Sequence, residues 1–269
     1  MKEGIKMMNI KGIDISMFQP NINLEEVSNQ GYKVCYIKAT EGQTYTDPLF
    51  MQNYNKAKEA GLDIGFYHFI HSYDNGAVQA RFLLEKIKGL DYNCRIAIDI
   101  EVTDNQSAAT INKCINDFVT EITNQTGHYP CIYTNLSFAN EYLDSSLSKY
   151  GLWLAEYGVN EPEKTKVWGN TDNLIGWQHA DNGNFTGSTD LDVFNTGIYI
   201  PEMKRNLAPG DYATVTTPTL HVRSGAGLNY PIIGTVHQGD KIQLSNKVGE
   251  WWSTCWGEHG GFMYAEYLK

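Results

Sequence analysis

Long apolar runs are missing from this sequence of 269 residues: none approaches the ~20 consecutive apolar positions of a membrane-crossing helix. The opening decapeptide, MKEGIKMMNI, lacks the apolar centre of a signal peptide, so synthesis without a secretion signal is expected. Basic residues are scarce. With 21 Lys and Arg against 31 Asp and Glu the net charge is −10, which leaves no basic footprint for nucleic-acid phosphates. No block of like charge marks a solvated tail either. The five cysteines (Cys35, Cys94, Cys114, Cys131, Cys255) are odd in number and widely spaced, with no C-x-x-C pair. Neither a disulfide framework nor a zinc site is indicated. Several lie in apolar runs such as VCYI and PCIY, where a cysteine packs as a small hydrophobe, and a reducing cytoplasm is the expected place of synthesis.

What is present is a globular composition, 42% apolar, rich in Tyr (17) and Trp (6). The length suits one large domain and one small one. Through the first two hundred residues, short β-branched or aromatic runs alternate with segments of helical period. The strand-like runs are 12–16, 34–40, 63–69, 95–101, 131–135, 151–157, 174–180 and 189–194, with helices expected over 23–30, 48–60, 75–89 and 107–126. Asn23 and Glu26 form a capping pattern at the first helix, and the second runs from Pro48 to Gly61, matching the usual start and stop signals.

Eight strands separated by helices or loops predict an α/β fold, a TIM-like (β/α) barrel with an irregular second half, and an open doubly wound sheet is the alternative. The barrel is preferred because polar residues recur at strand C-terminal ends, where barrel enzymes build their sites. Residues 201–210, with Pro201, Pro209 and Gly210, read as a linker between a domain over 1–200 and a small all-β domain over 211–269. The acidity is concentrated in the first: positions 206–269 carry only 4 basic and 5 acidic residues.

The most informative short motif is Asp99-Ile100-Glu101, closing the apolar strand RIAI. Residues i and i+2 of a strand share a face, with Cα atoms roughly 6–7 Å apart. Glycoside hydrolysis needs one carboxylic acid to protonate the leaving oxygen and a second carboxylate beside the cationic centre. Two acids in a partly buried cleft oppose each other's ionisation, so one stays protonated. A solvated strand end or a cation site would also explain the pair. Asp14 in the first strand and Asp190 and Asp192 in the last would meet beside it if the barrel closes. No histidine sits at ligand spacing from these acids, so no metal or cofactor is expected; His68 and His71 read as structural or cleft residues.

The ordered series GIDIS, IKATEG, GFYHF, AIDIE, IYT, LWLAEY, GWQH and LDVF resembles the glycoside hydrolase family 25 muramidases, the Chalaropsis-type lysozymes, over residues 10–197. The resemblance implies a flattened, incomplete barrel that cleaves the β-1,4 bond between N-acetylmuramic acid and N-acetylglucosamine in peptidoglycan. It implies Glu101 as general acid/base and Asp99 as nucleophile or as the group orienting the substrate's acetamido oxygen. Asp14 and Asp192 match two further acids of the family, and Tyr67, Tyr133, Trp153 and Gln178 match cleft positions that contact sugar. Lys38, with Glu41, is either substrate-facing or structural. A non-catalytic wall-binding protein and a glucosaminidase or chitinase are the competing readings.

Residues 220–244, followed by WW and GFMYAEYL, are similar to bacterial SH3 domains, which implies binding of wall peptide. Trp251, Trp252, Trp256, Tyr230 and Tyr264 are the candidate groove aromatics, some of which must instead form the core of so small a barrel. An enzyme of this kind without a secretion signal reaches the wall after holin-type release or lysis.

Overall fold

The computed structural model describes residues 8–169, 173–185, 188–201, 209–257 and 259–268. The chain divides into two compact units, Met1–Pro201 and Glu202–Lys269. Most of the expected linker (202–208), and the first seven residues of the opening decapeptide, lie outside the described residues. Among the described residues no helix is long and apolar enough to cross a membrane.

The larger unit follows the order β1 (Ile10–Ile15), α1 (Leu24–Asn29), β2 (Val34–Glu41), β3 (Tyr45–Thr46), α2 (Phe50–Glu59), β4 (Asp63–Phe69), α3 (Gly76–Lys86), β5 (Ala97–Asp99), α4 (Ala108–Thr126), β6 (Cys131–Asn135), α5 (Leu136–Tyr142), β7 (Gly151–Ala155), β8 (Leu174–Asn184) and β9 (Ser188–Phe194). Seven strands run parallel in the order β1-β2-β4-β5-β6-β7-β8. β9 then pairs antiparallel with both β8 and β1, closing an eight-stranded barrel. The closed barrel therefore holds, and the open sheet does not. Three features were not legible in advance: the two-residue β3 on the end of β2, the short helix α5, and the reversed direction of β9.

Each strand is apolar on both faces because one lies under helices and the other fills the barrel. Outward residues such as Cys35, Ile37, Phe66, Ile98 and Ile132 join the helices in one cluster. Inward residues, among them Tyr36, Trp153, Phe194, Cys131 and Ile175, form a second. Tyr36, Trp153 and Phe194 pack on one another with ring centroids 4.7–5.8 Å apart. They fit because Gly65 faces them: a Cβ there would lie 2.4 Å from the Tyr36 ring. This aromatic plug supports the polar layer above it.

The helices carry the expected caps. Asn23, Asn75 and Ser107 each accept a hydrogen bond from a first-turn backbone N–H, and Gly127 ends α4 at φ 76°. α3 meets α4 closely through Gly76. In the gap between them His68 is buried, its Nδ1 2.7 Å from Thr40 Oγ1 and its Nε2 3.1 Å from Gln79 Oε1.

The smaller unit is a six-stranded sheet, β10 (Tyr212–Thr214), β11 (Thr219–Arg223), β12 (Ile232–His237), β13 (Lys241–Val248), β14 (Trp251–Thr254) and β15 (Gly261–Tyr264), ordered β10-β13-β14-β15-β11-β12. Trp252 is buried in its core with Val222, Leu244 and Met263, so it is not a groove residue. Trp251 meets Tyr264 edge-on, and Tyr230 lies exposed over Gly225. Cys255 is exposed, unlike the other four cysteines.

A Cβ on Gly76 would fall 2.0 Å from the backbone oxygen of Cys114 in α4. Gly76→Ala should therefore destabilise the larger unit by about 1–3 kcal/mol. Urea melts of the two proteins check this, and an unchanged midpoint would contradict the close helix approach.

Candidate active site

Strand parity puts one polar residue from almost every strand on the inward side, one layer above the aromatic plug. The resulting cleft encloses about 210 Å³ and is lined by Asp14 and Ser16 of the first strand end, Lys38, Tyr67, Phe69, Asp99, Glu101, Tyr133, Trp153 and Asp190, with Phe18 and Gln19 at its rim. β5 ends at Asp99, so Glu101 stands just beyond the strand, on backbone that is still held because Ile100 N donates to Tyr133 O at 3.1 Å. The two carboxyls are hydrogen-bond neighbours, and Asn135 at the end of β6 bonds Glu101 from the other side.

Opposite them, Asp14 and Asp190 face each other across the β1–β9 pair. Gln178 organises this half. Its Nε2 donates to Asp14 Oδ2 at 2.6 Å, while its Oε1 accepts from Tyr133 at 2.8 Å and also from Tyr157. Asp192 is in contact with Asp14 and lies one step deeper in the barrel, opposite Gly12. It is fully buried, with Trp153 Nε1 donating to its Oδ1 at 2.9 Å. The cleft acid on this strand is Asp190. The reason is strand direction: β9 runs antiparallel, so its N-terminal residues reach the mouth and Asp192 lies deeper. Gln178 and Asp192 thus stand behind the cleft lining, while Asp14, Asp99, Glu101, Lys38, Tyr67, Tyr133 and Trp153 are on it.

Burial dominates the titration of the cluster. It pushes Asp99 well above the usual carboxylate range, with the Glu101 charge adding to the effect and Lys38 opposing it. Glu101 is raised by burial, against the pull of its bonds to Asp99 and Asn135 and of Lys38. Asp14 and Asp192 are raised strongly, by burial first and then by neighbouring carboxylates, and Asp190 is pushed up to about 6. One oxygen each of Asp99 and Asp192 is buried without a conventional donor. Burial and the neighbouring carboxylates both favour the protonated forms of these acids.

Lys38 is the cation of the cleft. Its ammonium is fixed 2.7 Å from Glu41, which also lies 3.2 Å from His71 Nε2, and His71 Nδ1 lies 3.1 Å from Asp104. Asp104 and Asn105 adopt positive φ, 51° and 59°, which turns the Asp104 carboxylate back to accept from Ser72 N at 2.8 Å. His71 is thus a bracing residue of the cleft wall and His68 a core residue. Among the described residues no group of His, Cys, Asp and Glu has the geometry to hold a metal ion.

The model of glycosyl hydrolases family 25 matches residues 13–188. The chain belongs to that family. An autolytic lysozyme from Clostridium acetobutylicum is 40% identical over 194 residues, covering 71% of this chain and 57% of that protein, so the match spans little more than half of that relative. The solved bacterial lysozyme from Streptomyces coelicolor is 30% identical, superposes with a TM-score of 0.65, and is matched over 70% of this chain and 92% of its own. A family 25 lysozyme from Aspergillus fumigatus is 33% identical, with a TM-score of 0.63 and coverage of 69% and 93%. The family match ends at residue 188, and each of these relatives covers about 70% of the chain.

For this family 25 unit the buried acids make stability depend on pH in a definite direction. Their folded-state pKa values are raised, so the folded unit binds more protons than the unfolded chain, and this stabilisation is lost as pH rises through the folded values. His68 acts in the other direction: its pKa is lowered to about 4, so its contribution is lost as pH falls below the ordinary histidine value. Asp190 gives the window: the melting temperature of wild type relative to Asp190→Asn should fall as pH rises from about 4 through about 6. A difference that stays flat or rises across that interval would contradict the assignment.

Proposed function

We propose that the chain is a peptidoglycan hydrolase that cleaves the β-1,4 bond between N-acetylmuramic acid and N-acetylglucosamine. The observation that carries this reading is the convergence of Asp99 and Glu101, both raised above the usual carboxylate range by burial, on one acid-lined cleft in a family 25 barrel. The relatives' names support it: a lysozyme from Streptomyces globisporus is 31% identical, and an N,O-diacetylmuramidase from a Chalaropsis species is 33% identical over 142 residues.

Glu101 is the less buried of the pair and is the group a glycosidic oxygen can reach. As the C1–O bond breaks, the leaving oxygen takes the Glu101 proton. The Glu101 carboxylate then removes a proton from water as that water adds to C1, which restores the acid. Asp99 is only 7% exposed and in hydrogen-bond contact with Glu101. Asp99 is the second carboxylate of the cleft, which attacks C1 itself or orients the substrate's acetamido oxygen for that attack. Lys38 limits the rise of both pKa values, so that Glu101 can cycle between its two forms.

The smaller unit is proposed to be an SH3-like wall-binding module. Its closed apolar core and its exposed aromatics Tyr230, Tyr212 and Tyr267 support a peptide-contacting role.

Digesting purified peptidoglycan, reducing the products with borohydride and identifying the new end tests the activity. Muraminitol is the expected product, whereas glucosaminitol would assign a glucosaminidase, and no new end at all would refute hydrolysis. Glu101→Gln should lower turnover by about 10²–10⁴-fold while cell binding persists. Removal of 207–269 should weaken pull-down on whole cell walls and leave cleavage of soluble glycan near wild type, because a tethered module acts through effective concentration.

A further inference from the structure

The aromatic residues that the sequence offered for sugar contact are mostly interior. Trp153 is 2% exposed and Tyr133 9%, and Tyr67 is largely buried with its hydroxyl on Ser16. The large apolar side chain that stands free at the cleft is a different one. Phe18, in the turn after β1, lines the site and is 76% exposed.

A free Phe on a loose loop would mean little, but this turn is pinned. Met17 N donates to Asp47 Oδ2 at 2.9 Å, and Asp47 is itself 2% exposed, with its other oxygen held by Leu49 N at 2.8 Å. Ser16 N donates to Gln19 Oε1 at 2.9 Å, and Phe18 N to Ser16 Oγ at 3.3 Å. Asn53 Nδ2 reaches Ser16 O at 3.4 Å, and Gln19 Nε2 bridges to Ser188 O of β9 at 3.3 Å. Tyr45 closes the outer side by donating to Met17 Sδ at 3.0 Å. The backbone on either side of Phe18 is thus anchored to α2, to the β2–β3 end and to β9. The backbone that displays the ring is fixed, while the ring itself gains no burial.

That combination has a physical meaning. Holding an aromatic ring in water costs free energy that folding does not recover, whereas a ring held still beforehand loses less entropy when it binds. Its neighbours at the cleft are polar: Gln19, Ser16, Lys38 and Asp190. A flat apolar ring bordered by hydrogen-bonding groups matches a pyranose, which presents C–H bonds on its face and hydroxyl or acetamido groups at its edge. β1 lies between β9 and β2 in the barrel, across from the β5–β6 ends that carry Glu101 and Asn135. The ring therefore sits on the far side of the cleft from the general acid, where it would meet a sugar other than the one losing its leaving group.

We propose that Phe18 is a pre-positioned stacking platform for a hexosamine ring of the glycan strand, a binding subsite separate from the carboxyl pair. It rests on the muramidase reading for its substrate, and it assigns a specificity residue that reads chain length.

The test compares wild type, Phe18→Ala and Phe18→Trp on peptide-free glycan strands of increasing length, with muraminitol formation as the assay. Melting temperatures of all three should coincide, because Phe18 packs on little. Phe18→Ala should raise KM on long strands by roughly tenfold, equivalent to ~1.4 kcal/mol, with kcat within a factor of two, and Phe18→Trp should restore it. The advantage of long over short strands should shrink in Phe18→Ala. An unchanged KM on long strands would overturn the proposal. A KM effect seen only on strands bearing peptide stems would overturn it too, by assigning Phe18 to the peptide. A wild type that forms no muraminitol would instead overturn the muramidase reading, and binding of the same strands to Phe18→Ala by calorimetry would then decide the stacking role alone.

Discussion

Five carboxyl groups, Asp14, Asp99, Glu101, Asp190 and Asp192, share the interior of one barrel mouth, and they cannot all ionise there. Removing even one carboxylate from water costs several kcal/mol unless it is paired. Among the described residues the one cation lining the cleft is Lys38, itself 2.7 Å from Glu41. Compensation comes instead from retained protons and from neutral donors: Trp153 to Asp192, and Gln178 to Asp14. Those donors are fixed by the aromatic plug below. Trp153 packs on Tyr36 and Phe194, and Tyr133 packs edge-on against Trp153 while bonding Gln178. The packing of the barrel and the protonation of its site are in this sense one arrangement.

Closure by β9 completes that arrangement. A parallel final strand would carry Asp192 to the mouth and leave Asp190 below. The antiparallel strand reverses their depths, placing Asp190 opposite Asp14 and Asp192 beside Trp153. The same reversal brings Ser188 to the rim, where Gln19 ties it to the turn that displays Phe18. The place of Asp190 at the mouth and the tie to the proposed sugar platform therefore both follow from the direction of β9.

Much of this could be read before any coordinates. The expected strand over 95–101 is shorter, Ala97–Asp99, with Glu101 just beyond its end, while the runs at 34–40, 63–69 and 131–135 coincide with observed strands because both their faces are buried. The cap at Asn23 marked a real helix start. Strand direction was not legible, since alternation looks the same in either sense, and depth within the barrel therefore could not be assigned to Asp190 and Asp192. Side-chain burial was not legible either: Trp153 and Tyr133 carry the composition of a sugar cleft, but packing of Trp153 on Tyr36 and of Tyr133 on Trp153 leaves both almost wholly buried. α5 is too short, at seven residues, to show a period. The pinning of Phe18 depends on contacts as distant as Ser188.

The central claim is that Asp99 and Glu101 hold one proton between them at neutral pH, and that Glu101 delivers it. Carboxyl-labelled NMR titration of the unliganded protein, with Glu101→Gln and Asp99→Asn used to assign the resonances, tests this most directly. The account predicts that one of the two labelled carboxyls is still protonated near pH 6, and that replacing either acid by its amide brings the remaining one down toward the ordinary range. If both carboxyls in the wild type titrate together near pH 4, as exposed acids do, the shared proton does not exist and the account is contradicted.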